Sequence, residues 1–339
     1  TDYSLSLSLL EIINYLENKG ISKDYSNPMQ RKGIERLGEN KCRKIYNNII
    51  STHNLVNITQ VKGRDLNIID TNKFQYILTY SFPCQDLSLA GQKKGMAKGS
   101  ETRSGLLWEV ERILDELVIE QSKNGEKLPI LLMENVTQIH SKKNINDFNK
   151  WLEKLESLGY TNFVQDINSK DYGVPQSRNR TFCLSIPRKE VNYTFLPKIE
   201  LKTTLFDLLE ETNVDEKLFL SDKQIQDILK WKAFQKPLET CERTMQLKYA
   251  PTLTTRSGAY TSSMVLVKQP KCIDGTQYSM AGSDTIRRLT PKECFRLMGV
   301  KDEDFEKIRV NQTNASLYHL AGDSIVINSL IAVLKNLFI

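Results

Sequence analysis

The chain has 339 residues, 40% of them hydrophobic and 26% charged, so it is long enough for two lobes with a sizeable core and too polar for a membrane-embedded protein. Six dispersed cysteines with no CxxC pair argue against a zinc ribbon or a disulfide framework, and three histidines leave little material for a metal centre, so no metal is expected. The net charge of +6 permits a nucleic-acid partner without announcing one.

Apolar residues at helical spacing predict a helix over 4–17 and another over 40–51. The run KFQYILTYSF (73–82) predicts a buried strand that stops at Pro83-Cys84-Gln85 and passes into a loop rich in Gly, Ser and Lys. GLLWEVERILDEL (105–117) predicts an amphipathic helix, LPILLMENV (128–136) a second buried strand, and FNKWLEKLESLGY (148–160) a helix closed by Gly159. TFCLSIP (181–187) predicts a third strand. Near the end, RRLTPKECFRLMGV (287–300) reads as a capped helix with Pro291 in its first turn, and 317–338 as a turn followed by an amphipathic helix.

Strands alternating with helices in short steps predict a parallel α/β sheet, whose functional groups collect at the carboxyl ends of its strands. Cys84 and Glu134 each stand just past such an end. The rhythm breaks after Pro187, and 188–286 suggests a second, smaller lobe. Its charge changes sign. Residues 190–228 hold four Lys or Arg against nine acidic residues, whereas 229–284 hold eight against four. The acidic half is expected to be a helical connector and the basic half to face a polyanion. No apolar run approaches the ~20 residues of a membrane span, and the first residues lack a basic-then-apolar signal pattern. The expectation is a cytoplasmic protein with no membrane partner.

Six stretches occur in a telling order: SFPCQDLS, MENV (133–136), QSRNR (176–180), PTLTTRSG (251–258), RRLTPKECFRLMG (287–299) and AGDSIVI (321–327). Together they resemble the motifs of the bacterial cytosine-C5 DNA methyltransferases of type II restriction-modification systems, over about residues 60–339. The resemblance implies a Rossmann-like α/β sheet, S-adenosylmethionine as methyl donor and double-stranded DNA as partner. It also implies three segments: a first catalytic part over 1–187, a target-recognition domain over 188–286, and a return to the catalytic domain over 287–339.

The chemistry accounts for the residue types. Cytosine C5 is too weak a nucleophile to take a methyl group unaided, and a thiolate adding to C6 converts C5 into an enamine carbon. Cys84 is the expected nucleophile. Glu134 is expected to bond N3 and the exocyclic amine of the base, where charge accumulates on addition. By resemblance Arg180 holds the cytosine O2, and Arg178 orients the site and the DNA backbone. Gln176, Arg178 and Arg180 alternate along an extended segment, which predicts both arginines on one face. Asn135 and Pro83 are expected to fix the loop bearing the reactive groups. The base must be flipped out of the duplex, and the loop 86–104 suits closure over it, with Gln85, Ser88, Lys93 and Lys94 meeting DNA. Gln176 and, in the second lobe, Arg256, Ser257 and Gly258 complete the DNA-binding set. Asp65, Pro83, Asp323 and Ser324 are the cofactor candidates, Asp323 standing where the family usually carries Asn.

The family's Gly-rich turn for the methionine end of the cofactor, and the acidic residue for its ribose, have no counterpart ahead of Cys84. The sheet is thus expected to be N-terminally incomplete. Three explanations fit: a piece of a longer enzyme, the larger half of a split enzyme whose second polypeptide brings that segment, or a non-catalytic DNA-binding relative. An RNA cytosine methyltransferase is the other alternative. The roughly 100 residues between QSRNR and RRLTP, room for a recognition lobe, favour DNA.

Overall fold

The computed structural model describes residues 1–23, 27–82, 106–187, 191–210, 214–230, 232–257, 265–268, 272–273, 276–277 and 286–338. Its contacts divide into two units, Thr1–Asn162 with Cys183–Val191, and Phe163–Phe182 with Asn192–Ile339.

The first unit opens with α1 (Leu9–Asn18), α2 (Arg31–Glu35) and α3 (Glu39–Ser51). Helix α1 starts at Ser8, not at residue 4, because Ser8 and Glu11 form a capping box that satisfies the first free amides. Ile12, Leu16, Ile34 and Cys42 make the core beneath these helices. Strand β1 (Ile77–Tyr80) leads to α4 (Leu107–Asn124), which ends at Gly125 in the left-handed conformation (φ 68°). Strand β2 (Ile130–Val136) and helix α5 (Ile145–Ser157) follow.

Strands β1 and β2 are parallel, with Ile77 opposite Ile130 and Tyr80 opposite Met133. The sheet has the order β1-β2-β5-β3, where β3 is Thr161–Asn168 and β5 is Asn179–Ile186. Leu131, Leu132 and Met133 are buried in succession, the signature of a strand covered on both faces. Trp151 of α5 is fully buried and donates from Nε1 to the Tyr80 hydroxyl (3.0 Å), fixing the helix to β1.

In the second unit, β4 (Gln176–Ser177) pairs in parallel with β6 (Ala250–Pro251). Helices α6 (Asp222–Lys230) and α7 (Lys232–Leu247) come before β6. Strands β7 (Leu266–Lys268), β8 (Cys272–Ile273), β9 (Thr276–Gln277) and β10 (Ile286–Arg288) follow, with β8 antiparallel to β9 and β10 antiparallel to β7. Helices α8 (Pro291–Arg296), α9 (Asp302–Ile308), α10 (Asn314–Asp323) and α11 (Ile327–Leu334) close the chain.

Three expectations need correction here. The described part of the acidic stretch is no helical connector up to residue 205. It runs extended, tied down by Leu196 N–H to the Ala332 carbonyl (3.1 Å) and Ile199 N–H to the Asp171 carbonyl (2.9 Å). Pro197 cannot donate a backbone hydrogen bond and disfavours the helical conformation for Leu196. Next, the helix expected over 287–300 is shorter. Arg287 and Arg288 belong to β10, and the capping box of Thr290 and Glu293, with Pro291 in the first turn, starts α8 only afterwards. Finally, Asn314–Leu337 does have the length and apolarity of a membrane span. The helix is interrupted between Asp323 and Ile327, and Ala321, Val326, Ala332 and Val333 are buried in the fold, as in a core helix pair.

A fully buried ion pair organises this last region. The Glu293 carboxylate accepts from Arg287 Nη2 and Nη1 (2.7 and 2.8 Å) and from the backbone amides of Glu210 and Thr290 (2.7 and 2.8 Å). Both side chains are wholly inaccessible. Removing one partner strands the other charge away from water, so Arg287→Leu is expected to lower the unfolding free energy by about 3–5 kcal/mol, read by urea denaturation.

Candidate functional site

The first unit presents Glu134 near the carboxyl end of β2, half-buried. Its neighbour Asn135 is 2% exposed. Asn135 Nδ2 donates to the Phe82 carbonyl (3.1 Å) and its Oδ1 accepts from the Val136 amide (2.8 Å). The offset between Phe82 and Asn135 is that of the β1–β2 register, so the bond continues the pairing beyond Tyr80 with a side chain in place of the backbone. Phe82 is followed in sequence by Pro83 and Cys84. Pro83, Cys84, Gln85, Ser88, Lys93, Lys94 and the rest of the loop lie outside the described residues, as does Gly258.

The same unit contains a cavity of about 970 Å³. Apolar Ile21, Ile45 and Leu106 line it alongside Lys23, Asn54 and Asn57. Such a space suits a cofactor-sized molecule with an apolar ring and charged ends. Asp65, expected at the cofactor, borders a separate and smaller concavity of about 320 Å³ with Tyr15, Lys19 and Gln60. Its carboxylate is occupied locally, accepting from the Lys62 amide at 2.9 Å.

In the second unit the QSRNR stretch is more inward-looking than its alternation suggests. Gln176 is wholly buried. Its Nε2 donates to the Leu297 carbonyl (2.6 Å) and its Oε1 accepts from the Leu253 amide (3.0 Å). A side chain held in this way braces the scaffold, an inward setting that differs from the DNA-facing one expected for Gln176. Arg178, 5% exposed, donates from Nη1 to the Leu253 carbonyl (2.9 Å) and from Nη2 to the carbonyls of Gly322 (3.0 Å) and Ser324 (2.9 Å). Arg178 falls between β4 and β5, so the strand breaks there and the two arginines do not share one environment. Arg180 is half-exposed, with Nη1 donating to the Asn179 carbonyl (2.8 Å).

Arg178 thereby draws three of the motifs together: QSRNR, PTLTTRSG and AGDSIVI. Sequence reasoning missed the glycine that makes this possible. A Cβ on Gly322 would lie 2.3 Å from the backbone of Thr254 and Thr255, closer than atoms can approach. A glycine inside an apolar helical pattern was the available signal. Ser257, expected at DNA, is 4% exposed; its hydroxyl accepts from the Thr254 amide and donates to the Thr254 carbonyl (both 2.8 Å), which shapes the turn. Arg256 stands exposed beside it. Asp323 is exposed and paired with His319 Nδ1 (3.2 Å), and the Ser324 hydroxyl donates back to the Leu320 carbonyl (2.6 Å).

Residues 29–338 match the model of the C-5 cytosine-specific DNA methylases. The chain belongs to that family. Its DNA cytosine-5-methyltransferase activity follows from the family, as does S-adenosylmethionine as the class of methyl donor. It is 35% identical over 331 residues to the type II methyltransferase M2.ScrFI of Lactococcus lactis subsp. cremoris, covering 97% of this chain and 82% of that protein. To the orphan methyltransferase M.SssI of Spiroplasma monobiae it is 33% identical over 350 residues, covering 98% and 83%. Among solved structures, the S. pombe Dnmt2 methyltransferase superposes with a TM-score of 0.57 at 17% identity, covering 83% of each chain. A Spodoptera frugiperda DNMT2 mutant gives 0.56 at 18%, covering 88% of this chain and 89% of that one. These neighbours establish the α/β methyltransferase fold. The comparisons lend no support to a second polypeptide supplying a cofactor segment.

Arg178→Lys tests the bracing role. A single ammonium nitrogen cannot stand at both Nη positions of the guanidinium, so a loss of about 1.5–3 kcal/mol in stability should accompany any loss of methyl transfer. Weaker DNA binding at unchanged thermal stability would instead mean that Arg178 acts on DNA directly.

Proposed function

We propose that this methyltransferase modifies C5 of a flipped-out cytosine within a specific duplex DNA sequence, through a covalent bond between Cys84 and C6. The observation that carries the reading is the Asn135–Phe82 hydrogen bond. It ties the end of the Glu134 strand to Phe82, and Cys84 follows two residues later in the sequence, which supports a reading in which carboxyl and thiol come from neighbouring strands.

In this reading the Cys84 thiolate forms the Sγ–C6 bond and the displaced electron pair moves into the ring toward N3 and C5. Glu134 shares a proton with N3 and accepts from the exocyclic amine, which lowers the cost of that charge. Arg180, the half-exposed arginine, is assigned to the base O2, and Arg178 to positioning. S-adenosylmethionine, when bound, supplies an electrophilic methyl group on a sulfonium sulfur. After C5 takes that methyl group, loss of the C5 proton returns the electron pair, breaks the Sγ–C6 bond and frees the thiolate. Flipping the base costs a few kcal/mol, which closure of the loop 86–104 with Gln85, Ser88, Lys93 and Lys94 on the DNA would offset. The 970 Å³ cavity, with Lys23, Asn54 and Asn57 on its wall, is the space we assign to the cofactor. Residues 188–286 are assigned to target recognition, with Arg256 and Gly258 toward the DNA, and 287–339 to the catalytic part. As with the type II relatives, a cytoplasmic role in restriction-modification is the setting that fits.

Transfer of labelled methyl groups to mixed-sequence duplex DNA tests this. Cys84→Ala should abolish transfer, and Glu134→Gln should lower it by about 10²–10⁴-fold while leaving DNA bound. Transfer that survives in Cys84→Ala would sink the covalent route. The cysteines offer an independent check. Burial pushes the Cys183 and Cys241 thiols up to about 11, and raises those of Cys42 and Cys294 as well. A raised thiol pKa leaves these four protonated and unreactive at pH 8. Alkylation by iodoacetamide at that pH should therefore spare them and modify Cys84, with duplex DNA protecting it, as read by peptide mass spectrometry.

A further inference from the structure

A second concavity in the second unit takes no part in the chemistry above. It measures about 320 Å³, and Ser177, Arg243, Thr244, Tyr249 and Thr252 supply its polar groups, with no acidic residue among the described residues that line it. Its walls are firmly held. Ser177 pairs with Pro251 across β4 and β6, and the Thr252 hydroxyl donates to the Ser177 carbonyl (2.6 Å). Ser177 also sits between buried Gln176 and buried Arg178, so the cleft stands on the most tightly braced part of the unit.

One cation lines it, and a second lies against one of its walls. Arg243 is exposed near the end of α7, and the Lys170 ammonium lies 5.3 Å from the centroid of the Tyr249 ring. Between Arg243 and Tyr249 in the chain, exposed Lys248 adopts φ 59°, a left-handed conformation that glycine fills far more easily at a helix end. Its amide donates to the Thr244 carbonyl (2.8 Å) and its carbonyl accepts from the Leu205 amide (2.7 Å). A lysine kept where glycine would be relaxed is a local conflict of the kind that collects at functional sites. The nearest acidic residues along the helix are Glu239 and Glu242, both exposed and neither lining the cleft.

We propose that this cleft seats one backbone phosphate of the substrate duplex together with its sugar. Arg243 binds the phosphate, Lys170 and Lys248 add field, and the Tyr249 ring packs on the sugar. The proposal rests on the DNA reading given above and adds the place where the backbone is gripped. A phosphate contact of this type carries no sequence information; it sets the register of the protein on the duplex.

The test measures DNA affinity across about 50–200 mM salt, together with methyl transfer, for the full chain and four variants. For Arg243→Gln the slope of log affinity against log salt should flatten by about 0.9, the release expected for one phosphate. The KM for DNA should rise about fivefold while kcat stays within about twofold. Arg243→Lys should keep the wild-type slope, and Lys170→Gln should raise KM more mildly. Lys248→Gly should raise the thermal midpoint yet weaken DNA binding, whereas a purely structural lysine would change the midpoint alone. An Arg243→Gln chain with wild-type slope and wild-type KM overturns the proposal. If the wild-type chain transfers no methyl group, the catalytic reading fails, and the salt slope for duplex binding still decides the cleft.

Discussion

The candidate site depends on one hydrogen bond, from the Asn135 amide to the Phe82 carbonyl. Backbone pairing alone brings β1 and β2 together only as far as Tyr80 and Met133. Past that point the chain must leave the sheet to present a loop, and two strand ends with free backbone groups would be at liberty to separate. Asn135 fills the gap with a side chain that is 2% exposed and bonded at both ends of its amide. Such a bond contributes only about 1 kcal/mol net, but leaving its buried partners unsatisfied would cost more. Position is thus enforced by the penalty for the alternative. This is why Asn rather than another small polar residue is useful here: it carries a donor and an acceptor in one plane.

The second unit solves a similar problem on a larger scale. Three segments far apart in the chain, at 176–178, 253–254 and 322–324, must come together, and the short β4–β6 pairing joins only the first two. Arg178 and Gln176 bond main-chain carbonyls and an amide of these segments, and Gly322 lets the backbones touch. Because the acceptors are main-chain groups, neighbouring side chains can change without loosening the brace. The arginine cannot be exchanged so freely, since its fork geometry matches three carbonyls at once.

Much of this was legible in the sequence. The alternation of β1, α4, β2 and α5, the burial of ILLM and the capped helix at Pro291 follow from local pattern, and Asn135 was expected to fix the loop. Other features were not legible, for identifiable reasons. Strand β3, reading TNFVQDIN, groups its polar residues largely in pairs and so lacks the period-2 alternation that marks a strand, although Gly159 ends the helix before it. Helix α7 contains Pro237, which marks a helix end by local rules although the helix continues through it. The inward turn of Gln176 and Ser257 depends on partners from 77 to 122 residues away for the first and on a tight turn for the second, and no window of sequence shows the former.

The two arginines of QSRNR make the general point about motifs. Their letters are identical and they are two residues apart, so a strand would place them in the same environment. The break at Arg178 separates them: one is buried among carbonyls, the other half-exposed. A buried guanidinium bonded to main-chain carbonyls holds neighbouring segments in place, whereas a partly exposed one on a strand keeps surface open to solvent. The division of labour within a single motif is therefore a consequence of one interrupted strand. The two side chains therefore differ in what they can offer: Arg178 is held by main-chain carbonyls, and Arg180 keeps part of its surface open. Losing the buried one would leave three carbonyls without their donor, whereas the other stays on a strand held inside the sheet.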